Sequence, residues 1–292
     1  MKRILLALAF LFSVSAVNAK VNMTSKYDVN FYGFVKGAAQ YNTGSTALGE
    51  YDFWVVNGNS DNQQMRITAK ETRFGFDIKA GEHVSGKIEV DFYGQTGTGT
   101  NDLRIRHAFI NMNYNKWDFL IGQYWLLTPV IFPFTNNSSV MGYNGHIWQR
   151  IPQIRATYTF NENWQTAFAF ARATTTLIDN AGTNEGRPSI QAKVIAKYNG
   201  MKFVVSGIVS RWRNPLNLDQ HGDVYLASFG CSIPYQMFTL NSVAWIGENA
   251  TDYLVGAPGL VGYNGAGGPV RAKGGYVSLQ VKPYEKVWFA GG

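Results

Sequence analysis

The chain has 292 residues, 46% of them hydrophobic and 15% aromatic, and its 26 Lys and Arg against 19 Asp and Glu give a formal charge of +7. One cysteine, Cys231, excludes a disulfide framework and is expected to act as a small apolar side chain in a strand. No run of residues reaches the roughly 18 apolar positions of a membrane helix. So much apolar surface must therefore fill a soluble core or meet lipid from strands.

At the amino end Lys2 and Arg3 precede an apolar run from Ile4 to Phe12 and then small residues ending in Val17-Asn18-Ala19. This is the pattern of a secretory signal peptide. It predicts a leader over residues 1–19 and a mature barrel chain over 20–292. Loss of Lys2 and Arg3 takes the formal charge from +7 to +5. An excess of that size suits acidic lipid headgroups or anionic solutes, and export makes nucleic acid a poor partner.

Downstream, segments of about ten residues alternate apolar with polar. In the first, Val29, Phe31, Val35 and Ala39 fall on one side against Asn30, Lys36 and Gln40. From Val84 to Gly94 the alternation is clearest, with Val84, Gly86, Ile88, Val90 and Phe92 opposed to Ser85, Lys87, Glu89, Asp91 and Tyr93. Such a period predicts strands with one apolar and one wet face, which a soluble sandwich also has.

The connections separate the two architectures. Tight turns at Gly81-Glu82-His83, Asn115-Lys116, Asn161-Glu162-Asn163, Asn199-Gly200, Pro234-Tyr235-Gln236 and Pro283-Tyr284-Glu285 carry recognisable turn chemistry. They alternate with long polar or glycine-rich stretches over 42–64, 95–101, 125–149, 176–188, 212–222 and 247–272. Short turns at one end and long loops at the other predict an all-β fold, a transmembrane antiparallel β-barrel. Aromatic pairs flank most of the tight turns (Tyr114 and Trp117, Phe160 and Trp164, Tyr198 and Phe203, Tyr235 and Phe238, Tyr284 and Trp288), as an interfacial girdle requires. About thirteen strands can be laid out, the last opening at Lys286. An open edge cannot persist in hydrocarbon, so C-terminal strands of the barrel are expected to be missing.

The stretches DVNFYGFVKGAAQY (28–41), ETRFGFDIKAG (71–81), GKIEVDFYG (86–94), LRIRHAFINM (103–112), FLIGQYW (119–125) and RIPQIRATYTF (150–160) resemble, in order, trimeric outer-membrane porins, most closely the DcaP-like group. The resemblance covers about the first half of the mature chain. It implies a sixteen-stranded barrel, a homotrimer in the bacterial outer membrane and passive uptake of small organic acids. It also implies a third long loop folded inward as a constriction. Here that loop is Leu126 to Gln149, with Pro129, Phe132, Phe134, Asn136, Asn137 and Tyr143 as its candidate residues. An ordinary surface loop is the alternative, although Val130, Ile131, Phe132 and Phe134 favour a packed one.

Alternation turns Arg73, Arg104, Arg106 and Arg155 to the wet face, and Lys36, Lys87, Arg150, Lys193 and Lys197 could extend the set. Guanidinium groups stay charged at every physiological pH and bind carboxylates in a fork, so a row of them favours anions. The same arginines are expected to pair with Asp77, Glu89 and Asp91 as structural partners. The four histidines, His83, His107, His146 and His221, lack metal-ligand spacing, and no nucleophile elbow or phosphate loop occurs. Catalytic residues, a cofactor and a metal are therefore not expected, apart from the remote case of His107 serving a lipase-like site on the outer wall. The reading is a porin for small hydrophilic solutes with a preference for anions, whose partners are outer-membrane lipid, further copies of itself and small anionic solutes. A surface barrel acting as adhesin or receptor through its long loops is the alternative, and a soluble exported β-protein is the third possibility.

Overall fold

A computed structural model describes residues 26–44, 63–94, 102–135, 140, 145–172, 186–214, 217–253, 269–284 and 287–291. The leader expected over 1–19 and most of the long loops lie outside the described residues. No helix among the described residues is long and apolar enough to cross a membrane.

The chain divides into two units, Met1–Ile110 with Asn137–Ser139, and Asn111–Asn136 with Val140–Gly292. The first contains β1 (Asp28–Phe34), β2 (Ala38–Asn42), β3 (Gln64–Thr68), β4 (Arg73–Ala80), β5 (Val84–Gly94) and most of β6 (Asp102–Tyr114). Hydrogen bonding there follows the order β1-β4-β5-β6, with β2 and β3 as a separate pair. The single first strand read from sequence is thus interrupted after Phe34, where the Lys36 N–H donates to Thr72 Oγ1 at 3.1 Å.

The second unit contains β7 (Trp117–Trp125), β8 (Arg150–Thr159), β9 (Trp164–Ala171), β10 (Ser189–Tyr198), β11 (Met201–Asn214), β12 (Asn217–Tyr235), β13 (Phe238–Glu248), β14 (Arg271–Tyr284) and β15 (Val287–Gly291). Each pairs antiparallel with the next in chain order. Among the described residues there are fifteen strands against the expected thirteen, the two extra being β2 and β3, which pair apart from the others.

Turn chemistry sets these registers. Asn115 (φ 53°), Asn199 (φ 48°) and Gly200 (φ 79°) take the left-handed backbone that two-residue hairpin turns demand, which Asn and Gly tolerate best. At the 161–163 turn the Asn161 Oδ1 accepts the N–H groups of Asn163 and Trp164, each at 2.9 Å, closing the hairpin with a side chain.

The distribution of side chains inverts that of a water-soluble core. On β9, Phe168 and Phe170 are each 57% exposed, whereas Ala167, Ala169 and Ala171 beside them are 3% exposed. The same inversion puts Ile88, Ile121, Ile154, Val205 and Phe229 outside and Glu89, Asp91, Gln153, Arg155, Ser206 and Ser228 inside. Rows of large apolar side chains facing out are what hydrocarbon selects. A sandwich would bury those rows between sheets, so that alternative is excluded. Tyr114, Trp117, Phe160, Trp164, Tyr198, Tyr235 and Tyr284 are exposed beside the tight turns, as the girdle reading expected.

Candidate functional site

In the first unit the buried face of β4, β5 and β6 holds the charged residues. Register places Arg73 opposite Asp91 and Gly75 opposite Glu89. Asp91 accepts a fork from Arg104 (Nε 2.9 Å, a terminal nitrogen 2.6 Å) and a further bond from Arg106 at 2.8 Å. Arg106 Nε also donates to Glu89 at 2.7 Å, and Glu89 accepts the Tyr32 hydroxyl at 2.9 Å. Arg73 approaches Glu89 at 3.7 Å and lies over the Phe34 ring at 5.2 Å. The guanidinium groups of Arg73, Arg104 and Arg106 therefore gather around the carboxylates of Glu89 and Asp91. Lys87 pairs with Asp77 at 2.7 Å, and Lys36 pairs with Glu71 at 2.5 Å. These two lysines are neutralised locally; the sequence reading offered Asp77 as a partner for the arginines, and it takes Lys87 instead.

In the second unit Arg155 lies on the buried face of β8 with Ile151 and Gln153. It donates to the Gln153 Oε1 at 3.0 Å and to the Trp125 carbonyl, and its guanidinium lies over the Tyr124 ring at 5.0 Å. No carboxylate stands within ion-pair distance of it among the described residues. Arg150 differs from its expected place. It belongs to the alternation set of exposed Pro152 and Ile154, and it stacks over Trp125 and Trp148 at 4.7 and 5.6 Å. An end-of-strand arginine is free to turn onto aromatic faces, which a two-residue period cannot foresee.

The long connection after β7 folds back onto the buried face of β10 to β14. Leu126, Leu127 and Ile147 are completely buried there, and Pro129 and Ile131 sit over Gly230. Polar side chains of the strands hold its backbone. Gln191 accepts the Leu127 N–H at 2.9 Å, Asn241 donates to the Phe132 carbonyl at 2.9 Å, and Ser278 accepts the Phe134 N–H at 3.1 Å. Trp245 donates to the Gly145 carbonyl at 2.8 Å, and the Tyr276 hydroxyl donates to the Ile131 carbonyl. Pro129, Phe132 and Phe134 thus lie in a segment docked on the strands. Asn136, Asn137 and Tyr143 lie outside the described residues.

Sequence reasoning missed these anchors. Gln191, Asn241 and Ser278 were legible only as polar residues at inward positions, and their target, a loop backbone 64 to 144 residues away, leaves no local trace. His146 was equally hidden. Its Nδ1–H donates to the Val140 carbonyl at 2.9 Å, its ring packs edge-on against Phe132 and Tyr276, and burial lowers its pKa to about 4.

A neutral His146 in the docked segment and an ordinary imidazole near 6.5 in the unfolded chain set the sign of a pH effect. The contribution is complete above about pH 6.5 and is lost as pH falls through about 4. Between pH 6.5 and 5, above most carboxylate titrations, stability is expected to drop by about 1.4 kcal/mol per pH unit. Denaturant midpoints measured across that window check it, and His146→Phe should flatten the slope.

Comparison with solved structures places this geometry. The crystal structure of the outer membrane channel DcaP of Acinetobacter baumannii is similar with a TM-score of 0.68 and 27% identity, over 90% of this chain and 75% of that one. The chain has the fold of a DcaP-like outer-membrane porin. An anion-selective porin from Comamonas acidovorans shares the porin fold at a TM-score of 0.58 and 10% identity, covering 91% of this chain and 78% of that one. A scan against protein-family models finds no match, and a search of curated proteins finds no significantly similar sequence. For this porin fold the buried strand faces described above are the sides turned away from lipid, and they carry the charged residues and the docked loop.

Proposed function

We propose that this porin lets small hydrophilic solutes diffuse passively across the bacterial outer membrane, with a preference for anions such as small organic acids. One observation supports the preference above all: a guanidinium on the buried face of β8, Arg155, has no carboxylate within ion-pair distance among the described residues. In the second unit Arg155 has only neutral acceptors in bonding contact among the described residues, and in the first Arg73, Arg104 and Arg106 gather around Glu89 and Asp91. A fixed positive charge in a narrow wet passage lowers the barrier to carboxylates and raises it to cations. The mechanism needs no catalytic group, since solutes move down their own gradients. We further assign residues 1–19 to a cleaved leader and the functional unit to a homotrimer, and we assign the constriction to Leu126–Gln149.

Planar-bilayer recording tests the reading. Under a potassium chloride gradient the reversal potential of the unaltered protein should show anion preference. Arg155→Gln should move it toward zero, with single-channel conductance changed less than twofold. A cation-selective potential would end the anion assignment, and no conductance from folded protein would end the channel assignment.

A further inference from the structure

The exposed face of β10 to β14 carries a feature that solute passage does not use. In register across these strands, Ile190, Val209, Tyr225, Glu248 and Arg271 form one row. Ala192, Gly207, Ala227, Ile246 and Lys273 form the next, and Val194, Val205 and Phe229 begin a third. Three small residues side by side, between rows of large ones, leave a groove of about 800 Å³ on the outer surface. The groove lies toward the long connections and away from the tight turns at 199–200 and 235–237, which places it at the outer-leaflet side of a porin.

Charges gather at this end of the groove. Arg271 bonds Glu248 at 3.0 Å, and Arg211 faces Asp223 at 3.6 Å one row further out. Lys273 projects on the same face one row deeper and has no hydrogen bond or ion pair among the described residues. A lone cation on a lipid-facing strand is costly unless an anion meets it there, and the available anions at that height are lipid headgroups.

We propose that this groove binds a phosphorylated lipid of the outer leaflet, with an acyl chain lying over Ala192, Gly207 and Ala227 and a phosphate on Lys273, assisted by Arg271. Small residues admit the chain by removing side-chain bulk, and Ile190, Val209, Tyr225 and Ile246 wall it. The ammonium supplies the charge-assisted bond that selects phosphate over an uncharged headgroup.

The test uses the folded full chain in detergent micelles, diphosphoryl lipid A as probe and native mass spectrometry as readout. One probe molecule per chain should be retained. Lys273→Glu should weaken retention at least tenfold and Lys273→Arg should preserve it. Gly207→Leu should also weaken it, and that variant is sterically tolerated because a Cβ there meets only the Leu226 carbonyl oxygen at 3.9 Å. Dephosphorylated lipid and inorganic phosphate alone should each bind far more weakly. Equal retention by Lys273→Glu and the unaltered protein would overturn the site in favour of nonspecific annular lipid. Loss of an oligomer in Gly207→Leu, with lipid retention unchanged, would overturn it in favour of a second copy on this face. Bilayer conductance should be the same in all these variants, so failure here is distinguishable from failure of the channel assignment.

Discussion

Replacing Asp91 with Ala should destabilise the folded chain by about 3 kcal/mol or more, the largest effect of any single substitution considered. Asp91 is 0% exposed and receives three bonds from Arg104 and Arg106. It also accepts its neighbour Tyr93's N–H at 3.2 Å. Removing it takes away the acceptor that two guanidinium groups share, and breaking a buried charge network by deleting one partner costs more than the intact pair contributes. Arg104 is partly exposed and can recover some hydration, which holds the estimate at the low end of the usual range. The loss also removes one negative charge from this cluster, so the variant should be less stable and more anion-preferring at once. Denaturant unfolding followed by heat-modifiable gel migration reads the first effect, and the reversal potential reads the second. A variant with unchanged stability would show that the arginines find other partners, and an unchanged potential would show that this cluster does not face the permeating ions.

Gly230→Leu should dislodge the segment after β7 from the strands. A Cβ at Gly230 would lie 2.6 Å from the Pro129 Cβ, a contact that real side chains essentially never make, and 3.1 Å from the Ile131 Cδ1, which is tighter than most. Neither neighbour can give way easily, because Pro129 is rigid and the Ile131 carbonyl is tied to Tyr276. Overpacking of this kind costs about 1–3 kcal/mol, and here the strain falls on a loop rather than on the sheet. The barrel should fold, while single-channel conductance becomes larger and noisier as the segment leaves its seat. Gly230→Ala should give a smaller change in the same direction. Conductance identical to that of the unaltered protein in both variants would mean that this segment does not limit flow.

Strand positions and turn chemistry were legible in the sequence because both are local. Asn199-Gly200 announces its own backbone, and the alternation read over Val84–Gly94 is seen in the structure from Ile88 to Gly94. The two-residue period fails inside β6. It puts His107 with Leu103 and Ile105 on the exposed face, yet His107 is buried, and Ile110, out of step with Ile105, is exposed. The phase of exposure shifts between His107 and Ile110, and nothing in LRIRHAFINM marks it. For the wet face, the kinds of partner could be named but not their stoichiometry. That Asp91 would serve two arginines while Arg155 took a carbonyl and an amide depends on three-dimensional reach beyond any spacing rule. The seat of the long loop was least legible, because its anchors are spread over β10, β13 and β14.

The pairing of outward Phe168 and Phe170 with inward alanines on β9 bears on the route this protein takes to its membrane. In water those rings have no shelter, since the neighbouring small side chains cannot enclose them, and aqueous folding would leave a band of oily surface prone to coalescence. The native arrangement becomes the free-energy minimum only when fatty-acyl tails replace water on that side. Folding and entry into the bilayer are therefore coupled, since each outward ring reaches its low-energy surroundings only where acyl tails are present.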